Sequence, residues 1–343
     1  MSIRRSALFA LVLLAASAAG CRDSRRGGDK GPLTIIVGGI DKVIYLPAKL
    51  SEQLGYFKEE GLEVRLLSEQ AGATAEISLI AGDAQGVVGF YDHTIDLQTK
   101  GKCITSVVQM ANIPGEVEVV STAKAETIKS PADFKGKKLG FTSPGSSTDF
   151  LTQYLALRHG IPTSQYTGVK AGAGSTFIAA LDQGSIDAGM TTDPTVAQLL
   201  STGKAKVMLD MRTEDGTKAA LGGLYPASAL YMNCDYVALH KPVVQKLVNA
   251  LVKGLRFIRD HAAEDIAAKM PADFGGGNPA IYVKAIHDSK SMFNADGRMS
   301  KEGAQNVLEV LSHCSPSVKG KRNYIDLAKT YTTEFVDKVG VTP

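Results

Sequence analysis

From Leu33 onward, short apolar runs alternate with segments whose apolar residues recur every three or four positions, the pattern of an α/β fold with mainly parallel strands. Leu33 to Val37 is an apolar strand ending at Gly38-Gly39. Leu46, Leu50 and Leu54 then recur every four residues up to Gly55, which predicts a helix with a glycine exit. Leu62 to Leu67 predicts a second strand, Thr74 to Ala81 a helix closed by Gly82, Gly86 to Phe90 a third strand, and Thr94 to Lys100 the helix behind it. Two further strand-like runs, Ile104 to Gln109 and Glu116 to Ser121, lead out of this unit.

A second series follows. Ser130-Pro131 supplies an N-cap and a proline at the first helical position. Lys138 to Thr142 reads as a strand, Ser147 to His159 as a helix closed by Gly160, and Ser175 to Gln183 as a helix closed by Gly184. Ile186 to Met190 and Ala205 to Asp210 are strands with a helix, Pro194 to Thr202, between them. One more strand-like run, Leu230 to Leu239, precedes helices only, the longest from His240 to about Arg259. The two series echo each other. In each, a helix ends at a glycine (Gly82, Gly184), a strand follows, and a polar tip (Tyr91 to Thr94, Thr191 to Pro194) opens the next helix. This predicts two similar lobes joined by two crossovers, with 33–122 and 222–343 forming one and 123–221 inserted as the other.

The N-terminus changes the picture by compartment. Arg4 and Arg5, an apolar run from Ala7 to Ala16 and the small residues before Cys21 make residues 1–20 a secretory signal peptide, too short for a membrane span. Ala18-Ala19-Gly20-Cys21 resembles a bacterial lipobox, which implies a lipid on Cys21, a bilayer anchor and a location outside the cytoplasm. Residues 21–32 are polar and glycine-bearing, a flexible tether. Removing Arg4 and Arg5 lowers the formal charge from +3 to +1, which gives no electrostatic case for nucleic acid. The remaining cysteines, Cys103, Cys234 and Cys314, are too widely spaced for a dense disulfide framework or a zinc site. One bridge with a spare thiol and three buried thiols both stay open.

Pro47-Ala48 with GYFKEEGLEVRL (Gly55 to Leu66), SPADFKGKKLGFTSPGSST (Ser130 to Thr148) and AALDQGSIDAGMTTDP (Ala179 to Pro194) occur in order along the chain. Together they resemble the nitrate, sulfonate and thiamine-pyrimidine-precursor binding proteins of ABC importers. The resemblance covers Leu33 to about Ala268. It implies the two-lobed periplasmic-binding-protein type 2 fold, a monomer with its ligand between the lobes, and ABC permease and ATPase partners in the membrane.

Open α/β sheets bind ligands beyond the carboxyl ends of their strands. That rule selects Gly39 and Asp41 after the first strand, with Tyr45 beyond them, and Gln70 after the second. It also selects Tyr91, Asp92 and His93 after the third, and Gly145, Ser146, Ser147, Thr148, Thr192 and Asp193 in the second lobe. The glycine and hydroxyls of 145–148 at a helix start suit a carboxylate, sulfonate or phosphate oxygen, and they suit simple capping as well. Asp92 and Asp193 have the same two roles open. Arg212 is the one arginine near these tips, so a bare anion such as nitrate fits less well than a larger organic solute (a sulfonate, carboxylate or heterocycle).

G-x-x-x-x-G-K-[ST], H-E-x-x-H and G-x-S-x-G are absent, and the six histidines have no metal-ligand spacing. The expectation is therefore a binding protein with no catalytic residue, metal or cofactor. Two other roles share the fold: a pyrimidine-precursor synthase, which in the family uses a cysteine-rich motif lacking here, and a ligand-sensing lipoprotein.

Overall fold

The computed structural model describes residues 31–340; the expected signal peptide, Cys21 and nearly all of the expected tether lie outside them. Residues 32–340 form one compact unit built on two five-stranded sheets. The first half runs β1 (Leu33–Val37), α1 (Leu46–Gln53), α2 (Tyr56–Glu59), β2 (Val64–Ser68), α3 (Gly72–Ala81), β3 (Gly86–Phe90), α4 (Asp92–Gln98) and β4 (Ile104–Gln109). The chain then passes through β5 (Glu116–Ser121), β6 (Lys138–Phe141), α5 (Ser147–Arg158), β7 (Thr167–Lys170), α6 (Ser175–Asp182), β8 (Ala188–Thr192), α7 (Thr195–Ser201) and β9 (Ala205–Asp210). It closes with α8 (Glu214–Leu221), β10 (Ser228–Asn233), α9 (Cys234–Leu239), α10 (Lys241–Asp260), α11 (Ala263–Ala267), α12 (Pro279–Ser289) and α13 (Lys301–Cys314).

The sheets have matching orders, β2-β1-β3-β10-β4 and β7-β6-β8-β5-β9. In each, the first three strands are parallel, and one antiparallel strand, β10 or β5, arrives through a crossover. The echo seen in the sequence thus corresponds to equivalent central strands, β3 and β8. The two crossovers run side by side, since Gly115 N donates to Met211 O at 3.1 Å and Ala227 N to Ala111 O at 3.0 Å. Gly115 has φ +66°, and a Cβ there would meet the side chains of Met292 and Ile44, so the turn into β5 depends on glycine.

Most elements form for local reasons. In α10, Val244, Leu247, Val248, Leu251, Leu255 and Ile258 recur at helical spacing and are all buried, against α1 and α2. The fully buried strand β3 is apolar throughout rather than alternating, whereas the equally buried β4 carries Thr105, Ser106 and Gln109.

Three assignments from the sequence need correcting. Glu116–Ser121, expected at the end of the first lobe, lies inside the second sheet, paired antiparallel with β8 and β9. A strand's own residues do not say which sheet it joins across a crossover. The run Leu230–Leu239 is not one strand: β10 stops at Asn233, whose side chain accepts from Asp235 N at 3.0 Å and starts α9. Between β9 and β10, where only a crossover was expected, α8 forms from Thr213, whose hydroxyl accepts from Gly216 N. Among the described residues no helix is long and apolar enough to cross a membrane.

Candidate functional site

The carboxyl ends of the two sheets face a small cavity of about 20 Å³. From the first sheet's side come Lys42, Ile44, Tyr45, Gly72, Phe90 and His93. From the second come Glu116, Thr142, Ser146, Ser147, Thr148, Ala173, Thr191 and Thr192. Of the residues selected from the sequence, Tyr45, His93, Ser146, Ser147, Thr148 and Thr192 therefore line it.

His93 is the centre of the first wall. It stands in the first turn of α4, its Nδ1 2.5 Å from Glu76 Oε1 and 3.6 Å from Asp92 Oδ1, and all three side chains are buried. Burial works against the charged ring, but Glu76 and then Asp92 outweigh it and raise the imidazolium to about 9. The other edge of the ring abuts Gly72 at the start of α3, where a Cβ would lie 2.5 Å from Nε2. Lys42 lies across the loop after β1, donating from Nζ to Gly38 O at 2.8 Å and Gln70 O at 3.1 Å. Burial lowers its ammonium to about 8 against the pull of Asp41 and Glu116. Tyr45 meets Phe90 edge to face, ring centroids 6.4 Å apart.

The second wall carries the hydroxyl run. Ser146 Oγ donates to Ser143 O at 2.7 Å, and Thr148 Oγ1 accepts from Thr142 N at 2.9 Å. Ser147 Oγ reaches across to Asp92 Oδ1 at 3.1 Å, joining the start of α5 to the start of α4. Glu116, at the first position of β5, is 1% exposed, and its Oε2 has no hydrogen-bond partner. Burial, with Asp92 second, pushes its carboxyl well above the usual carboxylate range.

The remaining selected residues are placed elsewhere. Asp41 and the Gln70 side chain are exposed, although the Gln70 carbonyl holds Lys42. Gly39, at φ +115°, packs under the Lys42 side chain. The Tyr91 hydroxyl bonds Thr330 Oγ1, and its ring packs on Tyr331, directed at the C-terminal segment. Asp92 sits behind the wall, accepting from Ser147 and, at 2.9 Å, from the Tyr225 hydroxyl. Gly145, at φ +78°, donates its N–H to Asp149. Asp193 accepts from Ala197 N at 3.0 Å, from Arg212 at 3.0 Å and from Ser289 at 2.8 Å. Arg212 is also held by Asp210 and Asp288, so its guanidinium is fully engaged among carboxylates.

The sequence reading missed Lys42, Ile44, Glu116 and Thr142. A signal for Glu116 existed: in Gly115-Glu-Val-Glu-Val119, period two places Glu116 and Glu118 on one face of a strand whose other face is apolar. Both glutamates are buried.

Two mixed sheets, two crossovers and a cavity between the sheets' carboxyl ends define the class, a periplasmic-binding-protein fold. More closely, the chain belongs to the family described as NMT1/THI5 like, whose model matches residues 45–265. A protein of known structure from Bordetella bronchiseptica RB50 is 34% identical, with 90% of this chain and 96% of that one covered and a TM-score of 0.85. The alkanesulfonate-binding protein SsuA from Xanthomonas axonopodis pv. citri, bound to MOPS, shares the fold at 18% identity, TM-score 0.70, over 89% of this chain and 99% of that one. The 4-amino-5-hydroxymethyl-2-methylpyrimidine phosphate synthase of Aspergillus parasiticus is 28% identical over 228 residues, 62% of this chain. The match spans 63% of that relative's length. The structural neighbours are thus mostly binding proteins, while the curated relatives are named as synthases.

Proposed function

We propose that this protein is the solute-binding component of an ABC-type importer, which captures a small organic solute between its two lobes and delivers it to a membrane permease without changing it. The observation that carries this reading is the cavity itself. It is walled from both sheets, bounded by buried polar groups and bridged by Ser147 and Asp92, as a receptor that closes over its ligand requires. We take the export signal and a lipid on Cys21 to tether it at the outer face of a membrane. Labelling cells with a fatty acid should mark the wild-type protein and not Cys21→Ala; an unlabelled exported wild type removes the anchor and leaves the binding role.

The relatives' names favour one competing reading, a synthase on the same fold. The two differ in what happens to the bound compound. Solute retained by the purified protein should be recovered unchanged after long incubation, as judged by mass spectrometry of the denatured sample. Recovery of a converted product would make the protein an enzyme.

A further inference from the structure

The charged groups around the cavity constrain what it can hold. Glu116 is an acceptor aimed into the cavity with nothing to accept from at Oε2, and Glu118 on the same strand face is fully buried with neither carboxyl oxygen bonded. Asp92 and Glu76 lie just behind His93. Three acids, Glu116, Asp92 and Glu76, therefore stand around two basic groups here, and both basic groups are already engaged: His93 with Glu76 and Asp92, Lys42 with the Gly38 and Gln70 carbonyls. Arg212, the guanidinium suited to a sulfonate or nitrate, is held by three aspartates. The hydroxyls of Ser146 and Ser147 donate to Ser143 O and Asp92 rather than toward a ligand.

A buried acceptor left unpaired is costly, and a ligand that donates to it relieves that cost. We propose that the solute is basic, presenting an amine, amidine or amino-heterocycle N–H group to Glu116, with Phe90 and Tyr45 as its aromatic wall. This rests on the solute-binding reading and adds the chemical class. An incoming oxyanion would instead find no uncommitted guanidinium, and would hold Glu116 and Asp92 in their protonated forms where a basic solute pairs with the carboxylate.

The test uses the exported protein and a bacterial metabolite extract divided on a strong cation exchanger at pH 3, which retains compounds bearing a basic nitrogen. Melting is followed with each fraction, because a ligand of the folded state raises the midpoint. The retained fraction should raise it and the flow-through should not. A rise with the flow-through alone overturns the basic class and leaves solute binding standing; a rise with neither fraction overturns both. The solute purified from the active fraction should bind Glu116→Gln at least tenfold more weakly than wild type. Glu116→Asp, which keeps the carboxyl group, should retain more of the affinity. The midpoint without solute reports whether either variant has failed to fold, and equal affinity in wild type and a folded Glu116→Gln overturns the assignment.

Discussion

His93 ties the site to the stability of the fold. The folded chain keeps the proton on this ring up to about 9, whereas a free imidazole releases it near 6.5. The groups that hold it are Glu76, Asp92 and, further off, Asp96. Its contribution is therefore fully present below pH 6.5 and is lost as pH rises through 9. Over that range the stability gap between wild type and His93→Gln should shrink by roughly 3 kcal/mol, read from urea unfolding at pH 6, 7, 8 and 9. Glu116, with its carboxyl raised, acts in the same sense from pH 4.5 upward, and Lys42, lowered to about 8, acts in the opposite sense above pH 8. Both are unchanged in the variant, so a gap independent of pH would show that His93 is neutral in the fold. His93 itself was legible in the sequence because it follows a strand end. Its partner Glu76 was not, since an acid in the second turn of a helix looks like any solvated charge until α3 packs on β3.

At the scale of elements, regular spacing made most helices and strands legible, and the errors fall where an outcome depends on distant chain. Which sheet takes β5 is one case, and the disulfide is another. Cys103 precedes β4 and Cys234 follows β10, two strands adjacent only in the folded sheet, and their sulfurs are bonded across a sequence separation of 131. Cys234 N also donates to Cys103 O at 3.0 Å. Sequence spacing left the bridge open because the β4–β10 pairing is non-local, while Cys314 stays a buried thiol. A link closing so long a loop restricts the unfolded chain strongly, which on the chain-entropy account is worth about 4–5 kcal/mol. Cys103→Ser with Cys234→Ser should lower unfolding stability by about 2–5 kcal/mol. Reductant should do the same to wild type and nothing to the double variant. A wild-type midpoint insensitive to reductant would show that the bridge does not form in the exported protein.

For the whole molecule, the arrangement described is a shut one, and hydrogen bonds join the halves across the cleft: Ser147 Oγ to Asp92 Oδ1 at 3.1 Å, Val43 N to Asp193 O at 2.9 Å and Ser289 Oγ to Asp193 Oδ2 at 2.8 Å. The halves are also joined by the paired crossovers near 110–115 and 211–227, about which they can hinge, and between them α13 packs on α5 and α12 on α7. Without solute, the unpaired buried acid Glu116 favours opening, because water can then reach it. Solute should therefore reduce the radius of gyration measured by solution scattering. Ser147→Ala separates closure from general stability. Its hydrogen bond forms only when the cleft is shut, so its loss, about 1 kcal/mol, should shift the open–shut balance about fivefold toward open. Affinity should fall by a similar factor, since a ligand that binds the shut form is weakened in proportion to that form's population. The solute-bound scattering profile should nevertheless match wild type at saturation. The neighbouring Ser146→Ala serves as the control, because the Ser146 hydroxyl bonds within its own loop, to Ser143 O and Thr148 Oγ1, and does not span the cleft. Equal losses of affinity in the two variants, or a radius of gyration that does not respond to solute, would mean that the two sheets move as one body.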